Sequence, residues 1–106
     1  MIIYNITINI DEPIHEKWLN WMRDVHIPEV MATGKFIKAL MSKVLVNEEM
    51  GGSSYSVQYT CESRELLDLY YQKDAARLRK EGLRLFGQQF VAFRTELEIV
   101  NEFKPQ

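Results

Sequence analysis

His26-Ile27-Pro28 places a titratable side chain beside a forced interruption of a helix. It follows Trp18, Trp21, Met22 and Val25, which recur at helical spacing. Pro28 has no N–H, so the helical bond to the Asp24 carbonyl cannot form. Ile27, as the residue before a proline, is disfavoured in the α region. A kink or an end is expected here, with His26 left at the break. Histidine titrates near neutral pH, which makes His26 the candidate general base. The competing reading is a structural histidine bonded to a carbonyl that Pro28 frees. The other histidine, His15, falls in a first helical turn beside Glu16 and reads as exposed.

Arg94 and Glu96 lie two apart in a run of alternating residues and so share one face of a strand. They either pair with each other, or Arg94 grips an anionic group through its forked donors. Asn5 and Gln58, on two other strands, are candidates for orienting a carbonyl or hydroxyl; such residues also simply line wet walls. The candidate catalytic residue is thus His26, and the candidate ligand-binding residues are Asn5, Gln58, Arg94 and Glu96. No metal is expected, because two histidines and scattered carboxylates fit no zinc spacing. The lone Cys61 excludes an internal disulfide and a cysteine-rich metal site, and reads as a small buried hydrophobe. There is no glycine-rich phosphate loop and no nucleophile elbow. No cofactor is expected. Arg77, Arg79, Lys80 and Arg84, interrupted by Glu81, read as a solvated helical face.

The elements that must position these residues follow from periodicity. Ile2, Tyr4, Ile6, Ile8 and Ile10 alternate with Ile3, Asn5, Thr7 and Asn9, a strand pattern. Asp11-Glu12-Pro13 stops it and opens a helix, with acid and proline suited to a first turn. Gly34 is the natural stop after Val30 and Met31. Phe36 to Val46 reads as a second strand and Asn47 to Gly52 as a polar hairpin turn. Tyr55, Val57, Tyr59 and Cys61 alternate with polar residues as a third strand. Ser63 is a good N-cap for a second helix bearing Leu66, Leu67, Tyr70 and Tyr71. Asp74 is placed to cap a further segment, with Gly82 and Gly87 as breaks. Residues 91–99 alternate again. The order is β-α-β-β-α-β, the α+β, ferredoxin-like arrangement: a four-stranded antiparallel sheet, both helices on one face, strands one and three central.

The helix-covered face is expected to take the even residues of strand one, Tyr55/Val57/Tyr59 and Phe93/Leu97/Ile99. The other face would then carry Asn5, Thr7, Ser56, Gln58, Thr60, Ala92, Arg94 and Glu96, with Ile3 and strand-two aliphatics. Few charges lie on its central strands, which argues against simple solvation. A second sheet from another subunit is expected to cover it, forming a homodimer through the sheet faces with an interface of about 1,200–2,000 Å² or more. The interior would be lined by these polar groups.

The order of elements and the segment Trp18–Gly34 resemble the dimeric α/β-barrel superfamily. This group holds polyketide cyclases, antibiotic-biosynthesis-type monooxygenases, haem-degrading monooxygenases and EthD-like proteins. EthD-like members carry a His-x-Pro element in the first helix and a glycine before strand two, as His26-Ile27-Pro28 and Gly34 do here. They often have an aromatic residue four before the histidine, where this chain has Met22. The whole chain is similar to a family of short bacterial proteins known as a domain of unknown function, through Trp18–Gly34, Ala76–Phe86 and Phe90–Ile99. That likeness implies a dimeric α/β barrel and no mechanism. Haem-degrading members have a strand-one asparagine, which Asn5 matches. They also need a second-helix histidine, and no histidine follows His26.

Composition bounds the rest. One hundred and six residues suit one domain over 1–106. A net charge of −2 gives no field to attract nucleic acid or an anionic membrane. No apolar run approaches a membrane span, and the alternating N-terminus reads as a strand rather than a signal peptide. A reducing, cytoplasmic setting is expected. The leading reading is a small-molecule-binding dimeric barrel for an anionic or carbonyl-bearing ligand. If it is an enzyme, a cofactor-independent cyclase, isomerase or monooxygenase-like reaction fits. The alternative is a non-enzymatic structural or regulatory homodimer with a filled interior.

Overall fold

The computed structural model describes residues 1–46 and 51–106. Four strands, β1 (Ile2–Ile10), β2 (Lys38–Lys43), β3 (Ser53–Cys61) and β4 (Phe90–Glu98), form one antiparallel sheet in the order β2-β3-β1-β4. β1 and β3 are central and β4 pairs with β1, as the element order predicts. Strand two is shorter than the expected Phe36–Val46. The expected hairpin turn lies outside the described residues except for Gly51 and Gly52. Gly52 has φ +80°, and a Cβ there would meet the Ile10 carbonyl at 2.7 Å, so glycine is required.

Two long helices cover one face: α1 over residues 15–32, entered through a short 3₁₀ turn at Glu12–Ile14, and α2 over residues 64–86. Ser63 caps α2, its hydroxyl accepting from the Leu66 N–H at 3.2 Å. Gly34, at φ +77°, ends the chain's turn after α1. The core lies between helices and sheet: Tyr4, Ile8, Val57 and Tyr59 from the sheet meet Trp18, Met22, Leu67, Tyr70, Leu78 and Phe86 from the helices. Cys61 is buried and free among them. Truncating Leu67 or Leu78, both 2% exposed or less, would cost roughly 2–5 kcal/mol.

The helices depart from expectation at three points. α1 is interrupted at the expected place but does not end there: Ile27 stays in the helical region, with φ and ψ of −61° and −44°, and the helix continues through Val30 and Met31. A π-helical turn, Met22–His26, absorbs the proline, and the Ile27 N–H bonds back five residues to the Met22 carbonyl. Nor does Asp74 cap a new segment. It sits inside α2 in a second π turn, Tyr71–Ala75, buried, with Lys35 Nζ at 3.0 Å and Arg77 Nη2 at 3.1 Å. Gly82 is also no break: α2 runs through it, and it lies buried against the Trp21 ring, 3.4 Å from where a Cβ would stand.

The face assignment of β4 is inverted relative to expectation. Register places Arg94 opposite Ile6 and Glu96 opposite Tyr4. Ile6 and Tyr4 face the helices, so Arg94, Glu96 and Ala92 do too. Phe93 and Leu97 lie on the open face and are 67% and 44% exposed. The reason is local: Phe90 and Ala92 pack against the core, and the pleat then carries the even-numbered residues inward for the whole strand.

Candidate functional site

The inversion brings together two residues that the sequence reading separated. His26 from α1 and Arg94 from β4 line one cavity of about 70 Å³ between the helices and the sheet. Its walls are largely apolar and aromatic, including Ile6, Ile8, Trp18, Trp21, Met22 and Phe86. Tyr4, Tyr59, Tyr70 and Arg79 add polar groups.

The π turn explains why His26 reaches this place. In an unbroken α-helix the stripe of Trp18, Trp21 and Met22 would continue at Val25. A π turn inserts one extra residue and rotates the following face by about 100°. Val25 is therefore exposed, while His26 turns inward and Val30 is buried below it. The imidazole stacks on Trp21, ring centroids 4.7 Å apart and 24° between planes. Its Nδ1 is buried without a hydrogen-bond partner among the described residues. Burial, with the Arg94 charge second, lowers the His26 pKa from 6.5 to about 4. The imidazole is thus neutral at neutral pH and presents one N–H and one bare nitrogen.

Arg79 is the residue that sequence reading missed. It reads as part of a solvated basic run, yet it is half-buried and its guanidinium donates to the Tyr4 hydroxyl at 2.7 Å. Its Nε is buried and unpartnered. A signal was present: Ala75, Leu78, Gly82 and Phe86 mark the inward stripe of α2, and position 79 falls within it. Tyr59 carries a third orphan, its hydroxyl, and burial raises its pKa well above the ordinary value. Three buried polar atoms without partners, on His26, Arg79 and Tyr59, therefore surround one cavity. Such groups are costly unless something bonds them.

The other candidate residues lie elsewhere. Glu96 does not pair with Arg94; it accepts from Arg64 and from the Tyr71 hydroxyl on α2, and so holds the helix to the edge strand. Arg94 is exposed in the lone chain and makes no ion pair among the described residues. Asn5 is on the open face, tied into a ladder across three strands: Ser56 Oγ donates to its Oδ1 at 2.8 Å and its Nδ2 donates to Thr95 at 3.2 Å. Gln58 sits opposite Asn5 on β3, on the same face. Neither touches the cavity. His15 is not exposed as expected; it is half-buried, hydrogen-bonded to the Tyr55 hydroxyl, with Glu12 at 3.5 Å.

Among the described residues no group of three or more His, Cys, Asp or Glu could hold a metal ion. No helix there is long and apolar enough to cross a membrane.

A family model described as a domain of unknown function (DUF4286) matches residues 1–100. No curated protein matches the chain. Solved structures do. A dimeric ferredoxin-like protein from an uncultured marine organism superposes with a TM-score of 0.69 at 14% identity, covering 96% of this chain and 97% of the other. An EthD family protein from Bacillus halodurans gives 0.68 at 13% identity, covering 92% and 100%. A proposed antibiotic biosynthesis monooxygenase from Deinococcus radiodurans gives 0.68 at 11% identity, covering 100% and 99%. At these identities the likeness carries the ferredoxin-like fold alone, the fold that the element order predicts.

Proposed function

This chain belongs to the DUF4286 family, and from that premise we propose that it is a small-molecule-binding protein whose ligand occupies the cavity beneath His26 and Arg94. The observation that carries this reading is the set of three unpartnered polar atoms around a cavity with aromatic walls. A structural or regulatory dimer with a filled interior gives no reason to keep His26, Arg79 and Tyr59 unsatisfied there. Binding is favoured over proton abstraction, because a base held at about 4 has little driving force at neutral pH.

The working unit is a homodimer joined through the open sheet faces, each chain a single domain over residues 1–106. Val91, Phe93 and Leu97 on β4 and Leu40 on β2 are exposed apolar residues on that face, flanking the polar ladder of Asn5, Thr95 and Ser56. Two structural neighbours are described as a dimeric ferredoxin-like protein each. The buried Cys61 and the near-neutral charge suit a cytoplasmic protein.

Native mass spectrometry of gently purified protein tests both parts. The expected spectrum is a dimer carrying a low-mass adduct that is lost on denaturation. A bare monomer would contradict the assembly, and a dimer that stays bare after exposure to a metabolite extract would contradict the binding site.

A further inference from the structure

The charge balance of the cavity narrows what it can hold. Among the described residues Arg79 and Arg94 are the only ones with a fixed charge that line it, and no described Asp or Glu does. The acids on neighbouring turns are already engaged. Glu96 is held by Arg64 and Tyr71, Asp74 by Lys35 and Arg77, and Glu81 by Arg84. A guanidinium stays charged at any physiological pH and has five donors to satisfy. Arg79 spends one donor on Tyr4 and keeps a buried Nε unpartnered. The half-buried Arg79 is unfavourable beside apolar walls until an anion meets it, and Arg94 adds a second positive charge at the exposed side of the cavity.

We infer that the cavity takes a small monocarboxylate with a short apolar body, its carboxylate between Arg79 and Arg94 and its body against Trp21. This rests on the ligand-binding reading above and deepens it. Size sets the class: about 70 Å³ is room for about five water-sized groups, a carboxylate with two or three carbons or the head of a longer acid. The walls set it as well. Ile6, Ile8, Trp21 and Phe86 reward carbon and offer nothing to the further oxygens of a phosphate dianion. The neutral His26 and the Tyr59 hydroxyl have protons to aim at a carboxylate oxygen that the arginines leave free.

The experiment titrates the dimer with propionate, butyrate and isobutyrate, each against its primary amide, and with inorganic phosphate. Tryptophan indole signals are followed by two-dimensional NMR. The acids are expected to shift the Trp21 indole saturably, and the amides to bind about tenfold more weakly or worse. Arg94→Met should cost the acids about tenfold and the amides distinctly less, and Arg94→Lys should restore part of the loss. Arg94 is exposed on an edge strand, so these variants should fold, which circular dichroism checks. Acids and amides binding equally, or phosphate binding best, would overturn the carboxylate inference while leaving a ligand site. If no probe of either kind moves the signal, the binding reading falls too.

Discussion

His26 concentrates the physics of the site in one ring. The same burial that stacks it on Trp21 disfavours its charged form. A histidine whose folded pKa is lowered binds fewer protons folded than unfolded between those two values. Stability is therefore retained above 6.5 and lost as pH falls from 6.5 towards about 4. The full loss from this residue amounts to about 3 kcal/mol at most. Denaturant melts of His26→Asn and the parent at several pH values should diverge across this window, the parent falling more steeply. Parallel curves would place His26 in water. A second residue-scale prediction concerns Glu96. Its Arg64 partner is 45% exposed and Glu96 itself 38%, so Glu96→Gln should cost under about 1 kcal/mol. It should also leave ligand titrations unchanged, because Glu96 is committed to α2 rather than to the cavity.

At the scale of elements, the two π turns decide what the helices present. Nothing in Met22–His26 or Tyr71–Ala75 marks an extra residue per turn beyond Pro28 itself, so the chain reads as if Val25 faced inward and Asp74 were a cap. The alternation of β1 and β3 was legible because one set is uniformly apolar. β4 was not, because its more apolar set, Val91, Phe93 and Leu97, faces outward while the set with Arg94, Glu96 and Glu98 faces the helices; only the register with β1 and the packing of Phe90 and Ala92 decide it. The sequence thus named His26 and Arg94 but set them on opposite sides of the sheet, and it hid Arg79 within a basic run. Gly82 tests the helix contact directly. Gly82→Ala should stabilise α2 by up to about 1 kcal/mol through helix propensity, since its Cβ would sit 3.4 Å from Trp21. It should also narrow the cavity and weaken binding. Thermal melts that show Ala destabilising instead would mean that Trp21 cannot yield.

For the whole molecule, the two sheet faces differ in what they offer: one forms a cavity with the helices, and the other presents exposed apolar residues to a second chain in the proposed dimer. The apolar residues that β4 turns outward, Phe93 above all, give the second face its reason. Phe93→Glu should shift sedimentation from a dimer to a monomer while leaving the circular dichroism of the fold intact. A dimer undisturbed by that change would put the interface elsewhere. A high-resolution crystal structure of natively purified protein would show whether the space between helices and sheet is a ligand site. The expected result is non-protein density in the cavity, bonded to Arg94 and within reach of His26 Nδ1. A cavity closed by its own side chains, with Arg94 turned to solvent and His26 Nδ1 bonded to a protein carbonyl, would contradict it.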